Sequence, residues 1–288
     1  MNRLPITKTP KCYVGGAFIR SESGRTYTLH GADGKFHSNI PACTRKDVRN
    51  AVEAAAKAGA AWAQRNAYNR GQILYRIAEM LEARKDELAS AIALTDTDLK
   101  QAKREVEITL DRIIHYAGWT DKFQALLGSV NPVSSAHFNF TVTEPMGIIG
   151  ILAPEQPSLL GLLSMILPAI SAGNSVVALA SESRPYPSIL LGEILATSDL
   201  PGGVVNLLTG SRKDMLETFA SHAQIRAVTA VANLHERTAI QSAAAECVKR
   251  VQFFSEEKPI DWESANQQGL YAIRSCLEFK TTWHPVGV

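Results

Sequence analysis

The most reactive side chains in this sequence are its thiols. Cys12, Cys43, Cys247 and Cys276 lie far apart and form no Cys-x-x-Cys pair, the spacing that a zinc site or a dithiol redox motif needs. A cysteine attacks as its thiolate, which requires a lowered pKa and a donor site for the oxyanion that forms. Nothing around Cys247, in the last turn of a predicted helix, or around Cys276 indicates either one. His115 shares a predicted helix with Trp119 and has no partner ligand near it in sequence, so it reads as a satisfied structural histidine. A net charge of +2 with no long basic run gives nucleic acid no electrostatic support. No metal site and no nucleic-acid partner is expected.

The elements that must position any chemistry are organised around Glu144 to Glu182. A buried run, Gly147 to Leu152, precedes an apolar segment, Leu159 to Ile170, a Gly173-Asn174 turn and a second buried run, Ser175 to Ala180. Such a strand–helix–strand unit builds a parallel sheet. The alternation continues with a helix at Pro187–Thr197, a strand at Val204–Leu208 and a helix at Lys213–Ser221. A strand at Ile225–Val231, a helix at His235–Glu246 and a strand at Val248–Phe254 follow. Five strands and four helices in this order predict a Rossmann-type, doubly wound α/β sheet.

Ahead of it, residues 1–136 read as a hairpin around Gly15-Gly16, an extended piece at Thr26–Leu29 and three helices. Thr44 caps the first, with Asp47 in its first turn. Val48, Val52, Ala55, Ala56, Gly59 and Trp62 share one face of it. The second runs from Ala67 to Leu94 on Ile73, Ile77, Met80, Leu81 and Leu88. The third runs from Leu99 to Thr120 on Val106, Ile113, Ile114 and Ala117. Between His137 and Thr143 the period switches to two: Phe138, Phe140 and Val142 point one way, Asn139, Thr141 and Thr143 the other. The N-terminus has no apolar core, and Pro168 interrupts the longest apolar stretch well short of a membrane span. A soluble, cytoplasmic protein with reduced thiols and no membrane partner is expected.

The strings PMGIIGILAPEQPSL, LPAISAGNSVVALASES and LPGGVVNLLTG resemble, in this order, the cofactor-binding half of NAD(P)-dependent aldehyde dehydrogenases. YVGGAFI, the Trp62 helix and HYAGWTDKF resemble the N-terminal part of the same family. The resemblance implies a cofactor-binding domain at 144–257 and a helical N-terminal segment packed upon it. It places Ala153, Pro154, Ser181, Glu182, Gly210 and Asn233 at the cofactor groove.

The departures from the family bear on function. Its Pro-Trp-Asn-Phe-Pro segment, whose Asn amide donates to the oxyanion, is here Pro154-Glu155-Gln156-Pro157-Ser158, and Gln156 is one methylene longer. Its ribose-binding lysine has become Leu179, beside a retained Ser181 and Glu182. Its pyrophosphate segment falls on Ala230-Val231-Ala232-Asn233, and the glycine that ends it on Arg237. The general-base glutamate falls on Phe254, with Glu256 and Glu257 close by but shifted. The catalytic domain that follows in the family, with its Gly-Gln-x-Cys nucleophile, is replaced by a polar linker from Lys258 to Gly269. The tail alternates Leu277, Phe279, Thr281 and Trp283 with Glu278, Lys280 and Thr282. It resembles the family's C-terminal oligomerisation strand, which pairs with the strand at 137–143. Residues 137–143 with 270–288 are thus expected to form a small β oligomerisation element, joined by a partner subunit that buries Phe138, Phe140, Phe279 and Trp283.

Two functions follow as expectations. One is a non-catalytic, structural or regulatory subunit with no or weak NAD(P) binding, a homo-oligomer or a hetero-oligomer with a catalytic aldehyde dehydrogenase. The other is the NAD(P)-binding half of a split aldehyde dehydrogenase.

Overall fold

The computed structural model describes residues 8–95, 98–255 and 260–287. Strands β1 (Cys12–Val14) and β2 (Ala17–Ile19) turn through Gly15 and Gly16, both at positive φ, where a side chain would be strained. A ribbon of β3 (Thr26–His30) and β4 (Phe36–Pro41) follows. The second of these strands has no counterpart in the sequence reading, because its inward positions, Ser38 and Ile40, mix polar with apolar and hide the period.

Helix α1 (Arg45–Gln64) starts where Thr44 and Asp47 indicate. The Asp47 carboxylate accepts from the Thr44 amide (2.7 Å) and hydroxyl (3.0 Å), and also from the Glu22 amide (2.9 Å), which ties the preceding turn to the helix start. Val48, Val52, Ala55 and Trp62 are buried as expected, while Ala56 is exposed at the edge of that face. The expected helix from Ala67 to Leu94 is two helices, α2 (Ala67–Glu82) and α3 (Lys85–Ala93), broken where Arg84 takes a non-helical conformation. Neither glycine nor proline marks the break, and the core spacing of Leu81 and Leu88 runs through it. Helix α4 (Leu99–Ala117) buries Val106 and Ile113 but exposes Ile114, since adjacent helical residues point about 100° apart. The His115 Nε2 is buried with no hydrogen-bond partner among the described residues, contrary to a satisfied histidine.

Short α5 (Phe123–Leu127), β5 (Ser129–Asn131) and β6 (His137–Pro145) lead into the alternating part. It comprises β7 (Ile148–Leu152), α6 (Leu160–Ser171), β8 (Ser175–Leu179), α7 (Tyr186–Ala196) and β9 (Val205–Leu208). Then come α8 (Arg212–Ser221), β10 (Ile225–Ala232), α9 (Leu234–Ala245) and β11 (Arg250–Ser255), and after them α10 (Leu270–Arg274) and β12 (Leu277–Pro285).

The main sheet has the order β11-β10-β7-β8-β9-β1-β2. Its five alternating strands are parallel, the doubly wound arrangement of a Rossmann-type fold. The hairpin extends the sheet because β1 pairs antiparallel with β9. One face is covered by α6 and α7 under α2, α3 and α4, the other by α1, α8 and α9. Strands β7 and β8 are buried at every residue, and so is α6, enclosed between the sheet and α4. A helix apolar all round is one buried all round.

The tail pairs as the alternation suggests: β12 lies antiparallel on β6, Phe279 opposite Thr143 and Trp283 opposite Asn139. This register divides the aromatics of the two strands between two faces. Phe279 and Trp283 share a side with the polar Asn139, Thr141 and Thr143, whereas Phe138 and Phe140 point to the other side. Directly opposed residues of an antiparallel pair share a face, so the odd-numbered residues of both strands fall together.

One side chain joins these parts. Asn174, fully buried, donates through Nδ2 to the carbonyls of Ala169 (3.0 Å) and Cys276 (2.9 Å) and accepts from the Gly147 amide (3.0 Å). It thereby ties the end of α6, the start of β7 and the start of β12. Asn174→Ala takes the partner from the Gly147 amide and the Cys276 carbonyl, at about 1–3 kcal/mol each, while the Ala169 carbonyl keeps the backbone amide of residue 174. Chemical denaturation of this variant is expected to show a loss of about 2 kcal/mol or more, and a loss under 1 kcal/mol would refute the assignment.

Candidate functional site

In a sheet of this order a crevice opens outside the carboxyl ends of the strands, where the connections that leave the neighbouring β7 and β10 run to opposite sides. Ala153 and Pro154 follow β7, Ser181 and Glu182 follow β8, Gly210 follows β9 and Asn233 follows β10. All six therefore stand at this end of the sheet. Gly210, at φ +136°, lies so close to Cys43 that a Cβ would come within 2.8 Å of the Cys43 amide nitrogen.

The crevice is filled by the chain's own charged side chains. The Arg212 guanidinium, at the start of α8, donates to the Ala153 carbonyl (3.0 Å) at the end of β7 and to the Val231 carbonyl at the end of β10. Its Nε lies 3.0 Å from Glu236 Oε1. Glu236 in turn receives the Asn233 amide (3.4 Å), while Asn233 Oδ1 accepts from the Glu236 amide (3.0 Å). The positive end of α9, where an anion would bind, already holds a carboxylate. Arg237, where the resemblance places a glycine, donates to the Ala232 carbonyl (2.9 Å) and stacks over Phe253.

Beyond β8 a second carboxylate does the same. Glu155 accepts from the hydroxyls of Ser181 (2.8 Å) and Ser183 (2.5 Å) and from the amides of Glu182 (3.2 Å) and Ser183 (2.9 Å). Burial pushes its pKa up, but these four hydrogen bonds together outweigh it and hold the carboxyl below the usual glutamate value. Glu182 turns away to accept from the Arg212 amide at the start of α8 (3.0 Å). Leu179 is buried in the core.

Next to this crevice is a cavity of about 570 Å³ whose lining includes Glu105, Glu155, Gln156, Ser158, Arg184 and Trp262. Gln156 is exposed and turns its side-chain carbonyl to Arg184 Nε at 2.9 Å. Glu105, reaching in from α4, accepts from the amides of Leu159 (2.9 Å) and Leu160 (3.1 Å) at the start of α6. Burial raises its carboxyl above the ordinary value, against the pull of those two amides. Phe254, where the resemblance puts the family's base, packs on Trp262, ring centres 5.2 Å apart. Glu256 and Glu257 lie outside the described residues.

Among the described residues no thiol lines this cavity. Cys247 lies near the carbonyls of Ala220, Ser221 and Ala244, before β11 and so at the opposite end of the sheet. Cys276 is buried beneath β12, and burial pushes its pKa up to about 11, away from thiolate at neutral pH. The sequence reading missed Arg212, Glu236, Glu155, Glu105 and Trp262 as site residues. Their roles depend on contacts distant in sequence, and no local motif marks them.

A doubly wound sheet with these motif strings at its carboxyl end defines a class of dinucleotide-fold protein. The chain belongs to the aldehyde dehydrogenase family, whose model matches residues 18–254. It is 29% identical over 248 residues to a putative aldehyde dehydrogenase DhaS of Bacillus subtilis (strain 168), covering 84% of this chain and 50% of that protein. It is 30% identical over 258 residues to 2-hydroxymuconic semialdehyde dehydrogenase of Pseudomonas sp. (strain CF600), covering 85% and 52%. The fold matches an aldehyde dehydrogenase of Bacillus cereus, solved as an NAD+ complex, with a TM-score of 0.82 at 24% identity, over 86% of this chain and 51% of that one. The chain thus spans about half the length of these relatives.

Glu105 offers a test of the cavity wall. Glu105→Ala leaves two buried amides unpaired and is expected to destabilise by about 1–3 kcal/mol, whereas Glu105→Gln keeps an acceptor. Because the native Glu105 pKa is raised, the native state holds more protons than the unfolded one just above the ordinary glutamate value. Wild-type stability therefore falls through that window as pH rises, relative to Glu105→Gln, which does not titrate. Parallel pH dependence of the two proteins in thermal melts would refute this.

Proposed function

We propose that this chain is a non-catalytic member of the aldehyde dehydrogenase family, a structural or regulatory subunit that assembles with itself or with a full-length aldehyde dehydrogenase. The observation that carries the reading is the self-filled crevice. Arg212 and Glu236 occupy the backbone groups at the ends of β7 and β10 and at the start of α9, and Glu155 occupies the serines after β8. A dinucleotide diphosphate would have to displace a paired guanidinium and carboxylate and would meet negative charge at the helix end. The similarity to an enzyme solved with NAD+ carries over the fold, while binding here is expected to be weak or absent. Oxidation of an aldehyde also needs a thiolate beside an oxyanion donor and a base. The resemblance puts Gln156 and Phe254 at the family's donor and base positions, and no described thiol lines the cavity beside them.

The assembly half of the reading rests on the small sheet β12-β6-β5. Phe138 and Phe140 on one side and Phe279 and Trp283 on the other leave apolar surface in water, with Trp283 57% exposed. Asn139 Nδ2 and Thr143 Oγ1 find no partner among the described residues, and the outer edge of β12 is unpaired within the sheet. A partner strand or subunit satisfies such an edge, and covering each aromatic contributes about 1.5–3 kcal/mol. A cytoplasmic setting accords with this role, and no helix of the described residues is long and apolar enough to cross a membrane.

Purified protein supplied with NAD or NADP and a panel of aldehydes is expected to reduce no cofactor, and calorimetry to register no micromolar affinity. Micromolar NAD binding would overturn the reading in favour of the NAD(P)-binding half of a split enzyme. Light scattering is expected to find an oligomer, alone or with a co-encoded aldehyde dehydrogenase. Phe279→Asp with Trp283→Asp is expected to shift that oligomer to monomer with unchanged helix content. A wild-type monomer under both conditions sinks the assembly role.

A further inference from the structure

A separation of 31 positions in sequence hides a pairing of Cys12 with Cys43 that only the fold reveals. The two Sγ atoms lie 3.4 Å apart, both thiols are buried, and the hydroxyl of Thr209 lies 3.4 Å from Cys12 Sγ. Cys12 belongs to β1, at the margin of the parallel strands, and Cys43 stands just before Thr44 at the entry to α1. The approach is enforced from several sides. The Cys43 amide donates to the Thr209 carbonyl (2.9 Å), the Thr209 hydroxyl donates to the Pro41 carbonyl (2.7 Å), and Gly210 lets the β9 end pass close beneath Cys43.

We propose that Cys12 and Cys43 form an oxidation site, closing to a disulfide when the protein meets a peroxide. The sulfurs need to approach by roughly 1.3 Å to reach the bond length of about 2.05 Å, a distance within side-chain adjustment. Peroxide first oxidises the Cys12 sulfur by two electrons, giving a sulfenic acid and one water. The Cys43 sulfur then attacks it, the S–S bond forms and a second water leaves, carrying the hydroxyl and the thiol proton. In sum two thiols and one hydrogen peroxide give one disulfide and two waters. Cys12 is the suitable first target: the hydrogen bond with Cys43 lowers its pKa against the effect of burial. The bond would lock β1, and the sheet edge it forms with β9, to the start of α1 across the ribbon of β3 and β4. Cys247 and Cys276 have no such neighbour among the described residues.

The test uses the full-length protein, treated with hydrogen peroxide, denatured, alkylated and mapped by peptide mass. Two of the four thiols are expected to be lost. One cross-linked species should join Cys12 to Cys43, with the intact mass lower by two hydrogens and restored by dithiothreitol. Cys43→Ser is expected to abolish the link and leave a dimedone-trappable sulfenic acid on Cys12, while Cys247→Ser with Cys276→Ser leaves the link intact. Survival of all four thiols at peroxide levels that oxidise a free peptide thiol overturns the proposal. So does a link through Cys247 or Cys276. The wild-type map alone decides the matter if the serine variant fails to fold.

Discussion

Two buried asparagines hold this fold in register. A parallel sheet leaves backbone groups unpaired wherever a strand gives way to a turn, and inside a protein each such group must find a partner. Asn174 supplies three hydrogen bonds where α6, β7 and the tail converge. Asn206, equally buried, accepts from the Gly15 amide (2.9 Å) and donates to the carbonyls of Val176 (3.0 Å) and Gly203 (2.8 Å). The first fastens the small sheet's β12 to the main one, and the second fastens the N-terminal hairpin to β8 and β9. An amide suits both places because it donates and accepts at once, which neither a carboxylate nor an ammonium can do. These are the asparagines of the Gly-Asn and Val-Val-Asn strings that carry the family resemblance, and here their work is structural.

The same rule explains how the crevice can be closed without a ligand. Carbonyls at the ends of β7 and β10 and amides at the start of α9 need partners whether or not a dinucleotide binds. Arg212, Glu236 and Asn233 provide them, with the charges balanced between Arg212 and Glu236 at 3.0 Å. Glu155 serves the serines and amides after β8 in the same way. Both arrangements place opposite charge against the polar groups they satisfy, so the crevice is a completed network rather than a collapsed one. The cavity beside it is bounded by Trp262, whose chain is anchored where Arg104 pairs with Glu263 (2.7 Å) and Arg112 donates to the Ser264 carbonyl (3.3 Å).

The small sheet follows a different logic. Its polar side chains pair across strands, Asn131 with Asn139 (2.6 Å) and Thr141 with Thr281 (2.9 Å), while its aromatics divide between the two faces. Phe279 and Trp283 share their face with Asn139, Thr141 and Thr143, and Phe138 and Phe140 stand on the other.

Read by itself, the sequence determined the elements of the main sheet and the strand of the tail, because period and turn chemistry are local: the Gly-Gly hairpin, the strand–helix alternation from Gly147 and the period-two alternation from Leu277. It also determined the family, since Gly173-Asn174 and Leu200-to-Asn206 are contiguous strings. The tertiary structure alone decided the break at Arg84, which no glycine or proline signals, and the register that sends Phe138 and Phe279 to opposite faces. It alone brought Arg212 to Ala153 and Val231, Glu105 to the start of α6, and Cys12 to Cys43. Each of these joins residues from different elements, and hydrophobic period records only which way a side chain points, never what meets it there.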